Sequence, residues 1–303
     1  MAGVAGVDIF FVISGFVMMI SSQPKMGKPL SGTDFMKRRV ERIVPLYWIY
    51  TTLKVLLVLA VPTVGMRSLG GAWQVISSYL FLPAVPVLAV GWTLNFEMFF
   101  YLLFAIALAL GIRPLRMLAP LFVLILLVPA SEFARIGLID WSNPIILEFL
   151  FGMSLYVAYR RGWLRLPRTG ALLLATLGFI VILAADGDGR PMLRPLLLGL
   201  PALAIVSAGI ALESRLGDKV PRWLVENGDA SYSIYLSHTF VLHFAGVALG
   251  HIRASGGAFV QLIAVTVMVV MSILVGILSY RFLEKPMIDY FRNRRAVAVP
   301  VGS

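Results

Sequence analysis

Residues 37–48 read KRRVERIVPLYW, a basic segment that runs directly into an apolar one. On a helix, Arg39 and Arg42 are three residues apart and share a face. Guanidinium groups bind phosphate in a planar, bidentate manner that ammonium groups cannot match, so this pair is a candidate phosphate-binding site. The alternative is a membrane anchor, because basic residues commonly flank transmembrane helices. Pro45 removes one amide donor and can kink the helix just after the arginines.

The composition around this stretch is that of a multispan membrane protein. Of the 303 residues, 59% are hydrophobic and 14% are charged, and the mean hydropathy of +0.90 excludes a soluble domain of this size. The formal net charge is +11. Positive-inside orientation explains it better than nucleic-acid binding, because the basic residues lie in short connections between apolar segments. With no cysteine and three histidines, thiolate chemistry is excluded and no metal site is expected.

We predict an all-α fold, a polytopic helical bundle with nine spans of about 20 residues each. Residues 1–290 form one transmembrane domain, and residues 291–303 form a basic cytoplasmic tail. The segment 73–88 is interrupted by Pro83 and Pro86, which predicts a short re-entrant piece on the outer side. The predicted spans are 4–22, 43–64, 90–111, 115–131, 144–160, 169–185, 193–212, 231–251 and 257–282.

The distribution of basic residues predicts the orientation. Of the 26 lysines and arginines, 20 fall on one side of the predicted membrane, five fall on the other, and Lys54 lies within a span. This asymmetry predicts a cytoplasmic C-terminus and an external N-terminus. The first span is a poor signal peptide, since it has no basic leader. An odd number of spans with an external N-terminus therefore suggests that one helix is missing upstream of Met1.

The third predicted span carries a carboxylate in an apolar environment. Thr93, Glu97 and Tyr101 are spaced four residues apart and form one polar stripe on a helix. A carboxylate at the centre of a bilayer costs about 2.5–3.5 kcal/mol on insertion scales, so Glu97 is a functional candidate. The alternative is an ion pair inside the bundle, for instance with Lys54.

Two further spans carry polar groups. In the first span, Asp8 is either functional or an interfacial cap, and Ser14 and Gly15 permit close helix packing.

In the eighth span, Ser231, Tyr235 and His238 form a second polar stripe. His238 is either a proton carrier or a hydrogen-bonded packing residue, whereas His243 and His251 are interpreted as structural. Near the end of the chain, Pro286 is predicted to stop the last helix at the interface.

Together, these segments resemble the membrane-bound acyltransferase 3 family, which contains O-acetylases of bacterial polysaccharides. Their sequences are most similar to the exopolysaccharide-modifying branch of that family. Five stretches carry the resemblance, in family order and almost from end to end: GVDIFFVISGF at 6–16, RRVERIVPLYW at 38–48, GWTLNFEMFFY at 91–101, GDASYSIYLSH at 228–238 and SYRFLEKP at 279–286.

The resemblance implies a bacterial inner-membrane enzyme that moves an acetyl group from cytoplasmic acetyl-CoA to a sugar hydroxyl of an exopolysaccharide or lipopolysaccharide. It associates the pair Arg39 and Arg42 with the acyl donor. In the family, an essential histidine precedes the GVDIFF segment, whereas Met1 stands where that loop should end. The resemblance therefore assigns the main catalytic histidine to no position in this sequence.

We expect direct acyl transfer assisted by a general base, because no cysteine is available as a nucleophile. In this interpretation Glu97 orients groups or relays protons beside Tyr101, and Tyr235 and His238 line the acceptor or relay path. The expected partners are a glycan or lipid-linked oligosaccharide acceptor and membrane lipids, with no nucleic acid and no metal. Two rival hypotheses are a glycan transporter or flippase, which also needs buried charge, and an inactive fragment that works with a partner.

Overall fold

A computed structural model describes residues 2–23, 30–60, 69–82, 84–127, 143–185, 193–216, 219–255 and 257–297. These residues form helices joined by turns and short connections, with no strand among them, which confirms the predicted all-α class. Several predicted positions lie outside the described residues: Lys25, Lys28, 61–64, Arg67, Pro83, 128–131, Arg135, Arg190 and 298–303.

Twelve α-helices and two π-helical turns follow one another through the described part of the chain. They are α1 (Ala2–Ser21), α2 (Gly32–Ala60), α3 (Ala72–Tyr79), α4 (Gly91–Ala109), α5 (Pro114–Leu127), α6 (Ile146–Arg160), α7 (Arg168–Ala184), a π-helical turn (Pro195–Gly199), α8 (Leu200–Leu216), α9 (Arg222–Asp229), α10 (Ser231–Ser255), α11 (Ala258–Ser279), a second π-helical turn (Tyr280–Glu284) and α12 (Lys285–Val297).

The helices group into two compact units, and each unit is built from two separate stretches of the chain. The first unit comprises residues 1–36 and 95–219, and the second comprises residues 37–94 and 220–303. In the first unit α1 packs along α6 and α7 packs along α8. In the second unit α10 packs along α11.

Four of the described helical runs are long and apolar enough to cross a membrane: Gly32–Ala60, Gly91–Ala109, Pro195–Glu213 and Ala258–Arg295. Shorter apolar helices cover Ala5–Ser21, Pro114–Leu127 and Arg168–Ala184. Helix length and composition therefore support a helical membrane protein, while the predicted number of nine spans is not confirmed.

Both prolines that were expected to disturb helices are accommodated. Helix α2 continues through Pro45 to Ala60. The prediction that Pro286 stops the last helix is wrong, because α12 starts at Lys285 immediately after the π-helical turn. The helical run Ala258–Arg295 continues through the proline, and the wider π-helical turn just before it, in which the Lys285 amide donates to the carbonyl oxygen of Tyr280, accommodates the missing amide. Since α12 runs to Val297, it also crosses residue 291, where the basic tail was predicted to begin.

The core of the first unit depends on close contact between α1 and α6. A Cβ atom at Gly15 would overlap the carbonyl oxygen of Phe149, and one at Gly152 would overlap the carbonyl oxygen of Val12. The two backbones can approach this closely because neither glycine carries a side chain. Beside this crossing, the Phe149 ring lies 4.6 Å from that of Phe11. The close packing predicted at Gly15 is therefore present.

Candidate functional site

The arginine pair lies on the N-terminal half of α2, in the second unit. Arg39 is half-buried, whereas Arg38 and Arg42 are exposed. Arg42 interacts electrostatically with the buried Glu284 in the π-helical turn. An exposed guanidinium and a half-buried one, one helical turn apart, suit a phosphate group that arrives from solvent. The positions of the two arginines are thus compatible with the predicted binding of the acyl donor. That role stays a prediction.

Glu97 lies inside the first unit on α4, with only 3% of its surface exposed. It accepts a hydrogen bond from the Tyr101 hydroxyl and another, 3.3 Å long, from Ser14 Oγ on α1. Two of its partners are therefore neutral hydroxyl donors, which satisfy a carboxylate without cancelling its charge. Glu97 and Tyr101 meet as the stripe predicts.

A second buried acidic group in the first unit involves Asp8, whose side chain is fully buried. Arg194 donates to it twice, from Nε to Oδ1 at 3.0 Å and from Nη2 to Oδ2 at 2.9 Å. This bidentate pair joins α1 to the segment just before α8. Asp8 does not cap α1, because it lies beyond the first turn of that helix and its carboxylate is paired with Arg194.

Glu148 completes this group and was not singled out by the sequence analysis. It is fully buried on α6 and interacts electrostatically with Asp8 and Arg194. Arg194 is thus the positive charge near both carboxyl groups, bonded to Asp8 and acting on Glu148 through space. The same signal that identified Glu97, an acidic residue inside an apolar span, would have found Glu148.

Tyr235 and His238 lie on α10 in the second unit. The Tyr235 hydroxyl is 2.6 Å from Thr93 Oγ1 and donates to the carbonyl oxygen of Val90 at 3.1 Å. Thr93 therefore turns to Tyr235, so the predicted stripe of Thr93, Glu97 and Tyr101 is divided between two sets of contacts.

His238 is half-buried, and its Nδ1 lies 2.6 Å from the carbonyl oxygen of Tyr235. A carbonyl oxygen can only accept, so Nδ1 carries the proton of the neutral ring and Nε2 carries the lone pair. This arrangement leaves Nε2 as the nitrogen that can take a proton from a substrate.

A buried polar chain also runs through the second unit. Ser233 Oγ donates to Glu284 Oε2 at 2.7 Å, and Ser279 Oγ donates to Ser233 Oγ at 3.4 Å. The Tyr50 hydroxyl reaches Ser279 Oγ at 2.8 Å. The chain links α2, α10, α11 and the π-helical turn, and it holds Glu284 next to Arg42. Sequence analysis did not predict this chain, because its members are up to 234 positions apart, as Tyr50 and Glu284 are.

The predicted site residues thus occur in two sets. Glu97 and Tyr101 belong to the first unit, and Arg39, Arg42, Tyr235 and His238 belong to the second. Each set contains a group able to accept a proton, Glu97 in one and His238 in the other. The second set also contains the guanidinium groups.

Comparison with known proteins identifies the family. Residues 1–281 match the family model described as an acyltransferase domain, of the acyltransferase 3 type. The exopolysaccharide production protein ExoZ of Rhizobium meliloti (strain 1021) is 34% identical, over 99% of this chain and 94% of the relative. The acyltransferase MdmB of Streptomyces mycarofaciens is 26% identical, over 98% of this chain and 84% of the relative. No solved structure matches the chain.

The match to the family model covers most of the chain, and the similarity to the first relative extends over nearly all of it. Both findings favour the acyltransferase interpretation over that of a transporter. The chain therefore belongs to the acyltransferase 3 family and is an enzyme that transfers acyl groups other than aminoacyl groups.

Proposed function

We propose that this enzyme moves an acetyl group from acetyl-CoA to a sugar hydroxyl of an exopolysaccharide or lipopolysaccharide. The observation that carries the proposal is the similarity, over nearly the full chain, to a protein of exopolysaccharide production. The acceptor is a glycan or a lipid-linked oligosaccharide. The enzyme lies in the bacterial inner membrane with its C-terminus in the cytoplasm, as the distribution of basic residues suggests.

The reaction exchanges a thioester for an oxygen ester. The sugar oxygen bonds to the acetyl carbon, the bond from carbon to sulfur breaks, and the CoA thiol leaves. The hydroxyl proton must pass to a base during the attack, and the developing oxyanion needs hydrogen-bond donors. His238 suits the first task through Nε2, with Tyr235 fixing the ring. Glu97 supplies a second proton-accepting group, and its hydrogen bond from Tyr101 keeps it oriented.

Arg39 and Arg42 hold phosphate groups of acetyl-CoA in this proposal. The donor contains several phosphates, and paired guanidinium groups are well suited to bind them. Glu284 supports the role by interacting with Arg42 from the π-helical turn. The buried chain from Ser233 to Glu284 then helps to position the donor-binding arginine.

The test compares three charge-preserving variants: Arg39→Lys, Arg42→Lys and Arg38→Lys. Lysine keeps the charge but loses the planar fork, so we expect acetyl-CoA to bind about tenfold more weakly to the first two variants, the loss of roughly one charged hydrogen bond. Arg38→Lys is the matched control, since Arg38 is exposed and outside the pair. Binding is measured by isothermal titration on purified protein, with the amount in the membrane checked by immunoblot. Equal donor affinity in all three variants would restore the anchor interpretation.

A further inference from the structure

A basic cleft lies at the end of α6 in the first unit, and none of the candidate site residues described above lines it. It has a volume of about 560 Å³ and is lined by residues that include Tyr159, Arg160, Arg161, Leu164, Arg165 and Ile210. We call it the arginine cleft. Its walls come from the end of α6, the turn that follows and α8. Three guanidinium groups around one cavity of this size form a site for an anion.

The turn beneath the cleft has a defined structure. Gly162 has a φ of 73°, a left-handed conformation that glycine adopts without strain. The amide of Trp163 donates to the carbonyl oxygen of Ala158, and that of Gly162 donates to Tyr159. These two bonds form a Schellman motif, which ends α6 and fixes the course of the chain. The three arginines are therefore carried by an ordered turn.

The arginines of the cleft keep their charge available. None of the ion pairs found among the described residues involves Arg160, Arg161 or Arg165. The Arg161 guanidinium lies 4.9 Å from the centre of the Trp163 ring, a cation–π contact that orients the group without neutralising it. A strongly positive cleft with no carboxylate of its own favours a negatively charged occupant.

The surroundings of the cleft indicate which anion it takes. Trp163 and Tyr159 are exposed beside it, and such aromatic residues are enriched where a membrane meets water. Helix α7 begins three residues after Arg165 and presents an exposed apolar surface formed by Leu172, Leu173, Leu177, Phe179, Ile180 and Leu183. Positive charge next to an apolar helix surface matches a phosphate head group attached to acyl chains.

We propose that the arginine cleft binds the head group of one anionic phospholipid, whose acyl chains lie along the apolar surface of α7. Three guanidinium groups favour a head group with net negative charge over phosphatidylcholine, whose choline carries a compensating cation. The cavity limits binding to a single head group, so the site is saturable, unlike the general lipid layer around a membrane protein. This lipid site is independent of the proposed acetyl transfer.

The test is native mass spectrometry of the full chain in detergent, with phosphatidylglycerol or phosphatidylcholine added at equal concentration. We expect one phosphatidylglycerol to stay bound per chain and phosphatidylcholine to be lost. In the combined variant Arg160→Gln, Arg161→Gln and Arg165→Gln, the affinity for phosphatidylglycerol should fall about 100-fold, since each basic side chain near a lipid surface contributes comparably. Arg165→Gln alone should lower it about fivefold.

Arg168→Gln is the matched control, because Arg168 is exposed at the first position of α7 and does not line the cleft. It should bind phosphatidylglycerol as the parent does. The single variant at Arg165 decides the matter if the combined variant does not fold, since Arg165 lies outside the helices. Unchanged affinity in the Arg165 and combined variants, or equal retention of both lipids, would overturn the proposal. Displacement of phosphatidylglycerol by acetyl-CoA would also overturn it, because the cleft would then be a donor site.

Discussion

At the scale of single residues, Glu97 combines deep burial with two neutral hydrogen-bond donors. In Glu97→Gln the amide oxygen can still accept from Tyr101 and Ser14, so the fold should persist. The variant loses the charge and the capacity to take a proton. We therefore expect acetylation of the glycan to fall about 100-fold or more, measured as labelled acetyl transfer in membranes.

Glu213→Gln is the control for this change, since Glu213 is an exposed carboxylate on α8 of the same unit; its activity should equal that of the parent. Full activity of Glu97→Gln would make Glu97 a structural residue. Aggregation of the variant instead would indicate that the charge itself holds the helices together.

The proposed role of His238 can also be tested by substitution, because a second histidine on the same helix serves as a control. His238→Gln removes the Nε2 lone pair, and we expect a loss of activity of about 100-fold. His243, five residues later on α10, packs against the Phe244 ring at 5.6 Å and was interpreted as structural. His243→Gln should therefore retain most of the activity. Similar activity of the two variants in the same transfer assay would remove His238 from the proposed relay.

At the scale of helices, glycine positions predict opposite effects on stability. A Cβ at Gly15 or Gly152 would overlap a backbone carbonyl of the facing helix, whereas nothing lies within 4 Å of a Cβ at Gly6. We expect Gly15→Ala and Gly152→Ala each to lower the free energy of unfolding by about 1–3 kcal/mol. Gly6→Ala, on the exposed side of α1, should raise it by about 0.5–1 kcal/mol.

Thermal unfolding in detergent measures these changes. A midpoint that drops for Gly6→Ala as much as for Gly15→Ala would show that α1 and α6 do not pack as described. The comparison is sharp because Gly6 and Gly15 belong to the same helix, so differences in helix propensity cancel.

Helix positions could be predicted from the sequence where length and hydropathy determine them. The predicted span 90–111 corresponds to α4 at Gly91–Ala109, and 144–160 corresponds to α6 at Ile146–Arg160. The π-helical turns were missed because one widened turn leaves no mark in a hydropathy pattern read over a whole span. Pro286 was misjudged because a π-helical turn before a proline lets the helix continue past it.

The candidate site could be predicted from the sequence only in part, and for a different reason. The contact between Glu97 and Tyr101 follows from helical spacing, since residues four apart share a face. The ion pair of Asp8 with Arg194 spans 186 positions and depends on which helices pack together. Hydropathy contains no information on helix pairing, so this group and the chain from Tyr50 to Glu284 required the structure.

At the scale of the whole molecule, both units are assembled from distant stretches of the chain. Helices α2 and α4 each begin in one unit and continue into the other, since the boundaries fall at residues 36–37 and 94–95. The chain therefore passes from one unit to the other within these two helices.

The orientation in the membrane can be tested directly, because the chain contains no cysteine. A single introduced cysteine is then the only thiol that a membrane-impermeant maleimide can label. Arg168→Cys probes the exposed start of α7, which the 20-to-5 distribution of basic residues predicts to face the cytoplasm. Ala72→Cys probes the exposed start of α3, on the predicted outer side. In spheroplasts of a Gram-negative host, we expect labelling of Ala72→Cys alone, and labelling of both variants after the membrane is opened with detergent. Labelling of Arg168→Cys before that treatment would reverse the orientation, and it would place the arginine cleft in the outer leaflet.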